Sequence, residues 1–140
     1  MLFRSNLADS WLVIGAGAGL LLLAATYWNL ATPPEVPGLH QREMGHACEW
    51  ETSMVLALAP ALVRGHGSVD PVPPGEGFGA ASRGWTMADR SGPGHIGWPA
   101  LASAAKGEAL FAAFGRGAVA LARKMARWDG RTWDAPGDEA

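Results

Sequence analysis

The feature that most constrains this chain is a stretch without charge. From Ser10 to Pro34 there is no Asp, Glu, Lys or Arg, and Trp11 to Trp28 (WLVIGAGAGLLLLAATYW) is 18 residues that are apolar apart from Thr26 and the Tyr27 hydroxyl. Such a segment must be withdrawn from water, into lipid or into protein. Three readings compete. As a helix, the 18 residues are long enough to cross a bilayer, with Trp11 at one interface, Tyr27 and Trp28 at the other, and Arg4 holding the N-terminus inside. A signal peptide fits less well, since Asp9 joins Arg4 ahead of the apolar run and no clean A-x-A site follows it. As a dinucleotide loop, Val13-Ile14-Gly15-Ala16-Gly17-Ala18-Gly19 reads as a strand entering a glycine turn, with Glu35 placed for a ribose, but Leu20 stands where G-x-G-x-x-G needs glycine. As protein core, Leu20 to Ala25 reads as a buried strand of an α/β sheet, followed by the Thr26-Tyr27-Trp28 turn.

Length and balance narrow the rest. The chain has 140 residues, one domain's worth. Eleven Lys and Arg stand against thirteen Asp and Glu, a net charge of −2, so there is no basic excess to neutralise nucleic-acid phosphates. A hydrophobic fraction of 49% excludes a wholly disordered chain. A single cysteine, Cys48, excludes an intrachain disulfide framework and a multi-cysteine zinc site. Seven tryptophans are many for this length and suggest an aromatic pocket or rim.

Downstream, Ala31 to Gly38 is a proline-rich breaker. Leu39 to Trp50 (LHQREMGHACEW) is dense in polar and reactive side chains. A helix follows, with Thr52 or Ser53 as its N-cap and Val55, Leu58, Ala59 and Leu62 on one face; Pro60 ends it or opens a second short turn. Arg64 to Gly94 is a long irregular segment anchored by Trp85 and Met87. Ser103 to Trp128 is the clearest helix. Leu110, Phe114, Ala118, Leu121, Met125 and Trp128 share a face, Ser103 caps the start, and Lys124 and Arg127 suit the C-terminal dipole. Gly107, Gly115 and Gly117 each weaken it by about 1 kcal/mol relative to Ala. A flexible tail is expected from Asp129.

The reactive residues gather before the first helix. His46, Glu49 and Glu51 lie close together with Cys48 between them, and His40 and Glu43 are near in sequence. A neutral imidazole beside carboxylates can move protons or bind metal, and a helix N-terminus adds affinity for anions. The same pattern also occurs as a solvated or structural cluster. Cys48 reads as a buried, inert thiol. His66 and His95, each beside glycine, have no cluster of their own.

These residues carry a resemblance. His46-Ala-Cys-Glu-Trp-Glu51-Thr52-Ser53, continuing through Pro60 to Leu62-Val63, resembles the H-A-G-x-x-E-T-S-x-x-x-L-x-x-x-P-x-L-V signature of the creatininase family of metal-dependent amidohydrolases. Gly94-His-Ile-Gly97-Trp-Pro99, running on to Ala102-Ser103 and Lys106-Gly107, is similar to that family's G-x-x-G-x-P-x-x-A-[ST]-x-x-K-G segment. Leu20 to Leu30 resembles the strand and aromatic turn that precede the first signature. The resemblance implies an α/β fold, an incomplete three-layer α/β/α sandwich with a mostly parallel sheet. It also implies a cytoplasmic homo-oligomer hydrolysing a cyclic amide or related C–N bond with a divalent metal, zinc or manganese.

By the same resemblance His46 and Glu51 are the catalytic residues, facing one cleft, and Cys48, Glu49, Thr52 and Ser53 are candidates for the substrate pocket. The family's metal-binding motifs have no counterpart in this chain, and Cys48 replaces a glycine. The sequence therefore reads as residues 20–128 of creatininase type, the C-terminal part of such an enzyme, behind an unmatched segment 1–19, with no metal ligand assigned and no turnover expected of this chain alone. The alternatives are a single-pass membrane protein anchored by residues 11–28, or a non-catalytic interaction module.

Overall fold

The computed structural model describes residues 9–16, 19–31, 36–75 and 84–129. They fall into two compact units, Met1–Thr32 with Phe114–Ala140, and Pro33–Ala113.

In the first unit the uncharged span is not one helix. Asp9–Ala16 forms strand β1 and Gly19–Thr26 forms strand β2, paired antiparallel from Asp9↔Thr26 to Ala16↔Gly19. Gly15, Gly17 and Gly19 each disfavour helix by about 1 kcal/mol relative to Ala, and Val13 and Ile14 favour extended backbone. The helix expected to cross a bilayer over residues 11–28 is thus replaced by a strand pair, and among the described residues no helix is long and apolar enough to cross a membrane. The dinucleotide reading falls on the same elements, because the glycines lead into a second strand and not into a helix N-terminus that could take a pyrophosphate.

Only Gly17 and Ala18 separate β1 from β2 in sequence. So short a link allows antiparallel pairing alone, since a parallel pair needs a crossover of about a dozen residues. The chain mixes helix and strand as an α/β protein does, but the sheet among the described residues is two-stranded and antiparallel. The mostly parallel sheet expected from the family resemblance is not found among them.

After β2 comes a 3-10 turn, Tyr27–Asn29, closed by the Leu30 N–H on the Tyr27 carbonyl at 3.1 Å. This is the strand and aromatic turn read at Leu20 to Leu30. Among the described residues three α-helices follow, α1 (Glu49–Leu58), α2 (Met87–Arg90) and α3 (Ala104–Ala126). The Tyr27 ring meets Trp28 edge-on at 5.0 Å and Phe114 of α3 at 5.4 Å. The Leu30 backbone approaches Gly117 so closely that a Cβ there would collide with the Leu30 carbonyl.

The long helix matches its expected extent. Ser103 lies just outside it and its hydroxyl accepts the Lys106 N–H at 3.3 Å, an N-cap bond. Leu110, Phe114 and Met125 are buried as expected, together with Ala113, whereas Ala118 is exposed and Leu121 and Trp128 are half-buried. The tail lies outside the described residues from position 130.

In the second unit α1 starts a full turn earlier than the hydroxyls suggest. Its N-cap is Cys48, whose carbonyl accepts the Thr52 N–H at 2.9 Å. Glu49 and Glu51 fill the first turn, where the positive end of the helix dipole favours carboxylates. The buried face is also different. Glu49, Trp50, Ser53 and Met54 point inward, while Val55, Leu58 and Leu62 are 39%, 73% and 73% exposed. Apolar residues lie nearly all round this helix, so polar partnerships decide which side is buried.

Pro60–Leu62 forms the second short turn. The irregular segment is partly ordered. His66–Ser68 is a 3-10 turn, and α2 opens on a capping box between Thr86 and Asp89. Arg90 lies over the Trp85 ring at 4.3 Å. Two isolated bridges, His46↔Ile96 and Val72↔Gly97, tie the loops together.

Candidate functional site

The site residues belong to the second unit. They come from the loop before α1, the first turn of α1, the bridge strand around Ile96 and the start of α3.

Glu49 is the hub of that region and is fully buried. Its carboxylate accepts the backbone N–H of His40 (3.1 Å) and of Gln41 (2.6 Å), and pairs with the Lys106 ammonium at 2.6 Å. Lys106 also donates to the Leu101 carbonyl at 2.6 Å. A buried carboxylate is tolerable only when so enclosed by donors. Glu49 therefore has both oxygens engaged and is placed as a structural anchor.

Gln41 lies beside it, 2% exposed. Its side-chain N–H₂ donates to the Glu43 carbonyl at 2.7 Å, and its side-chain oxygen accepts the Glu49 N–H (3.3 Å) and the Trp98 N–H (3.2 Å). Its backbone carbonyl accepts the Trp50 indole N–H at 2.8 Å. Above this network the His40 ring meets Trp98 edge-on at 5.1 Å.

His46 is exposed, and its backbone is fixed. Its N–H donates to the Ile96 carbonyl at 3.0 Å and its carbonyl accepts the Ile96 N–H at 2.8 Å. The next residue, Ala47, has φ 44, a left-handed conformation that a residue with a Cβ adopts at a cost. That kink turns the chain from the bridge into α1. Strain of this kind gathers at functional sites.

Glu51 is half-buried, and its Oε2 is buried without a hydrogen-bond partner. A buried oxygen in that condition has hydrogen-bonding capacity to spare and remains free to accept an N–H or O–H. The two carboxylates two positions apart thus differ in kind: Glu49 is consumed by the fold and Glu51 is not.

The remaining candidates divide in the same way. Cys48 is fully buried against Met44, with Sγ 3.7 Å from that sulfur. Burial pushes its thiol above the ordinary 9.0, reinforced by the Glu51 carboxylate and opposed by backbone groups of Glu51, Gly45 and Trp50. It is protonated and shielded at neutral pH. The Ser53 hydroxyl is buried and accepts the Ser103 N–H at 3.1 Å, and the Thr52 hydroxyl donates to the Ala47 carbonyl at 3.3 Å. His95 is buried, its Nε2 2.8 Å from the Asp70 carbonyl oxygen, and serves as a loop pin. His66 is half-buried in its 3-10 turn.

Sequence reasoning missed Gln41, Lys106 and Trp98 as parts of this region. Lys106 and Trp98 were visible within the second motif. Gln41 carried no signal, because its importance comes from three backbone partners that no local pattern encodes.

Among the described residues no group of three or more His, Cys, Asp or Glu gathers to hold a metal ion. Glu49 is saturated by its own donors and Cys48 holds its proton, so the acidic and thiol groups gathered here do not fit the divalent metal that the resemblance implies.

The comparisons with known proteins meet the site at this point. A family model described as creatininase, creatinine amidohydrolase, matches residues 7–122. That is the bulk of the 140 residues, and the chain belongs to the creatininase family, whose description is that of amidohydrolases. No curated protein and no solved structure matches it. The match is wider than the motifs suggested. It reaches beyond a C-terminal portion into the strand pair and begins ahead of residue 20.

Proposed function

We propose that this chain supplies the proton-handling side of an amidohydrolase site that opens a cyclic amide or a related C–N bond. Glu51 Oε2, the buried oxygen without a partner, is the observation that carries the reading. In this reading it accepts a ring N–H of the substrate or the proton of an attacking water. His46 is exposed on a backbone fixed by Ile96, and it delivers a proton to the leaving nitrogen. Cys48, Ser53 and Glu49 are buried in this segment and hold it, with Thr52 bonded back to Ala47.

In this reading the chain on its own binds the amide without turning it over, since the motifs that would bring metal ligands have no counterpart in its sequence. Family membership supports a small-molecule amide as the substrate class, and the proposal extends to a cytoplasmic homo-oligomer.

The test is an NMR titration of the isotopically labelled chain with creatinine, a hydantoin and a lactam, with and without zinc or manganese. At least one ring compound should shift the His46 and Glu51 resonances together, with no ring-opened product. Silence at both residues with every compound would overturn the site. Turnover abolished by chelation and restored by metal would overturn the expected inactivity.

A further inference from the structure

We propose that Gln41 is a positioning residue for His46, holding the imidazole-bearing segment in place without touching substrate. The inference rests on the reading of His46 given above for its functional meaning, and on geometry for its physical content. Gln41 side-chain atoms bond on three sides of His46. The N–H₂ group holds Glu43, ahead of it in the chain, at 2.7 Å. The oxygen holds the Glu49 N–H, after it, at 3.3 Å, and the Trp98 N–H, on the far strand of the His46↔Ile96 bridge, at 3.2 Å. One amide therefore fixes both ends of the His46 loop and the strand it pairs with.

The packing around that amide leaves it no second position. Gly97, next to Ile96, has φ 123 and lies so close that a Cβ there would meet the Gln41 amide and Cys48. A Cβ at Gly45, next to His46, would meet the Ile96 carbonyl and the Gln41 nitrogen. Two glycines bring their backbones up to the one side chain from both strands of the bridge. The left-handed Ala47 needs such a frame, because a strained residue persists only where its surroundings over-determine it. A hydrophobic residue of the same length would fill the volume and leave the Glu49 and Trp98 N–H groups without an acceptor.

The experiment is hydrogen exchange read by NMR on the whole chain. In Gln41→Met, the His46, Glu49 and Trp98 amides should exchange about tenfold faster relative to Leu110 of α3 than they do in the unsubstituted chain. The shift of His46 on adding the ring compound that binds should be lost in the same variant. Acceleration of Leu110 by the same factor would show a merely structural role and overturn the proposal, as would unchanged exchange at His46.

If Gln41→Met does not fold, the unsubstituted chain is followed through low concentrations of denaturant. The His46, Glu49 and Trp98 amides should then open as one unit with a shared denaturant dependence; three separate dependences would overturn the proposal. Failure of the functional reading is distinguishable, since it leaves the exchange pattern intact while no ring compound shifts His46.

Discussion

Glu49 and Lys106 form an ion pair at 2.6 Å that ties the first turn of α1 to the first turn of α3, with the Glu49 side chain fully buried and the Lys106 side chain 18% exposed. The pair is favourable only because Glu49 also takes two backbone N–H groups and Lys106 also reaches the Leu101 carbonyl. Removing one partner strands the other charge. Lys106→Met is expected to destabilise the chain by about 3–5 kcal/mol, read as a fall in the urea midpoint. Lys106→Met combined with Glu49→Gln should lose clearly less than Lys106→Met alone, because the uncompensated charge is gone. A double variant as unstable as the single one would show that the pair does not have this role.

The three glycines of α3 separate by environment. At Gly115 an added Cβ meets nothing, so Gly115→Ala should stabilise the chain by about 0.5–1 kcal/mol through the unfolded state and helix propensity. At Gly107 the same Cβ would collide with the Ser53 carbonyl, a backbone atom that cannot step aside. Gly107→Ala should destabilise by about 1–3 kcal/mol, the usual range for overpacking. Thermal melts of the two variants are expected to move in opposite directions.

The Cys48 thiol gives a pH signature. Burial raises its folded-state value above the ordinary 9.0, so the folded chain holds the proton more tightly than the unfolded chain does. The associated stability is complete below pH 9.0 and is lost as pH rises through the folded value. Denaturation midpoints should therefore fall above that pH, and Cys48→Ala should remove this part of the slope. Iodoacetamide at pH 8 should leave the native chain unmodified and label it promptly in denaturant, since the thiolate is the reactive form.

Legibility in the sequence followed the range of the forces involved. The span of α3 and its Ser103 cap were readable because periodicity and capping are local. The strand and aromatic turn at Leu20 to Leu30 were readable through the family motif. The first half of the apolar span was not, because a run of apolar residues has the same composition whether it crosses lipid or folds back on itself; the glycines at 15, 17 and 19 decided it. On α1 the expected face of Val55, Leu58 and Leu62 turned outward, since the buried Glu49 and Ser53 found partners 57 and 50 positions away, in Lys106 and Ser103. The motif named Glu51 and His46, but the contrast between a saturated Glu49 and an open Glu51 belongs to three-dimensional partnerships alone.

That contrast leads to a prediction in which stability and function part company. Glu51 Oε2 is buried without a hydrogen-bond partner, so the desolvation of that oxygen is not offset by a bond. Glu51→Gln keeps the shape, removes the charge and adds an N–H₂ group that can donate. The substitution should raise stability by about 1 kcal/mol, measured as a higher urea midpoint. It should also weaken the response of His46 to the ring compound that binds, because a neutral amide oxygen is a poorer acceptor than a carboxylate. His46→Ala, at an exposed side chain, should leave stability within about 0.5 kcal/mol and lose the response of Glu51 to the same compound. Active sites hold groups that folding alone would discard, and a gain in stability with a loss of binding at Glu51 is the expected mark of one. A loss of stability in Glu51→Gln would instead place that carboxylate among the supports of the fold, alongside Glu49.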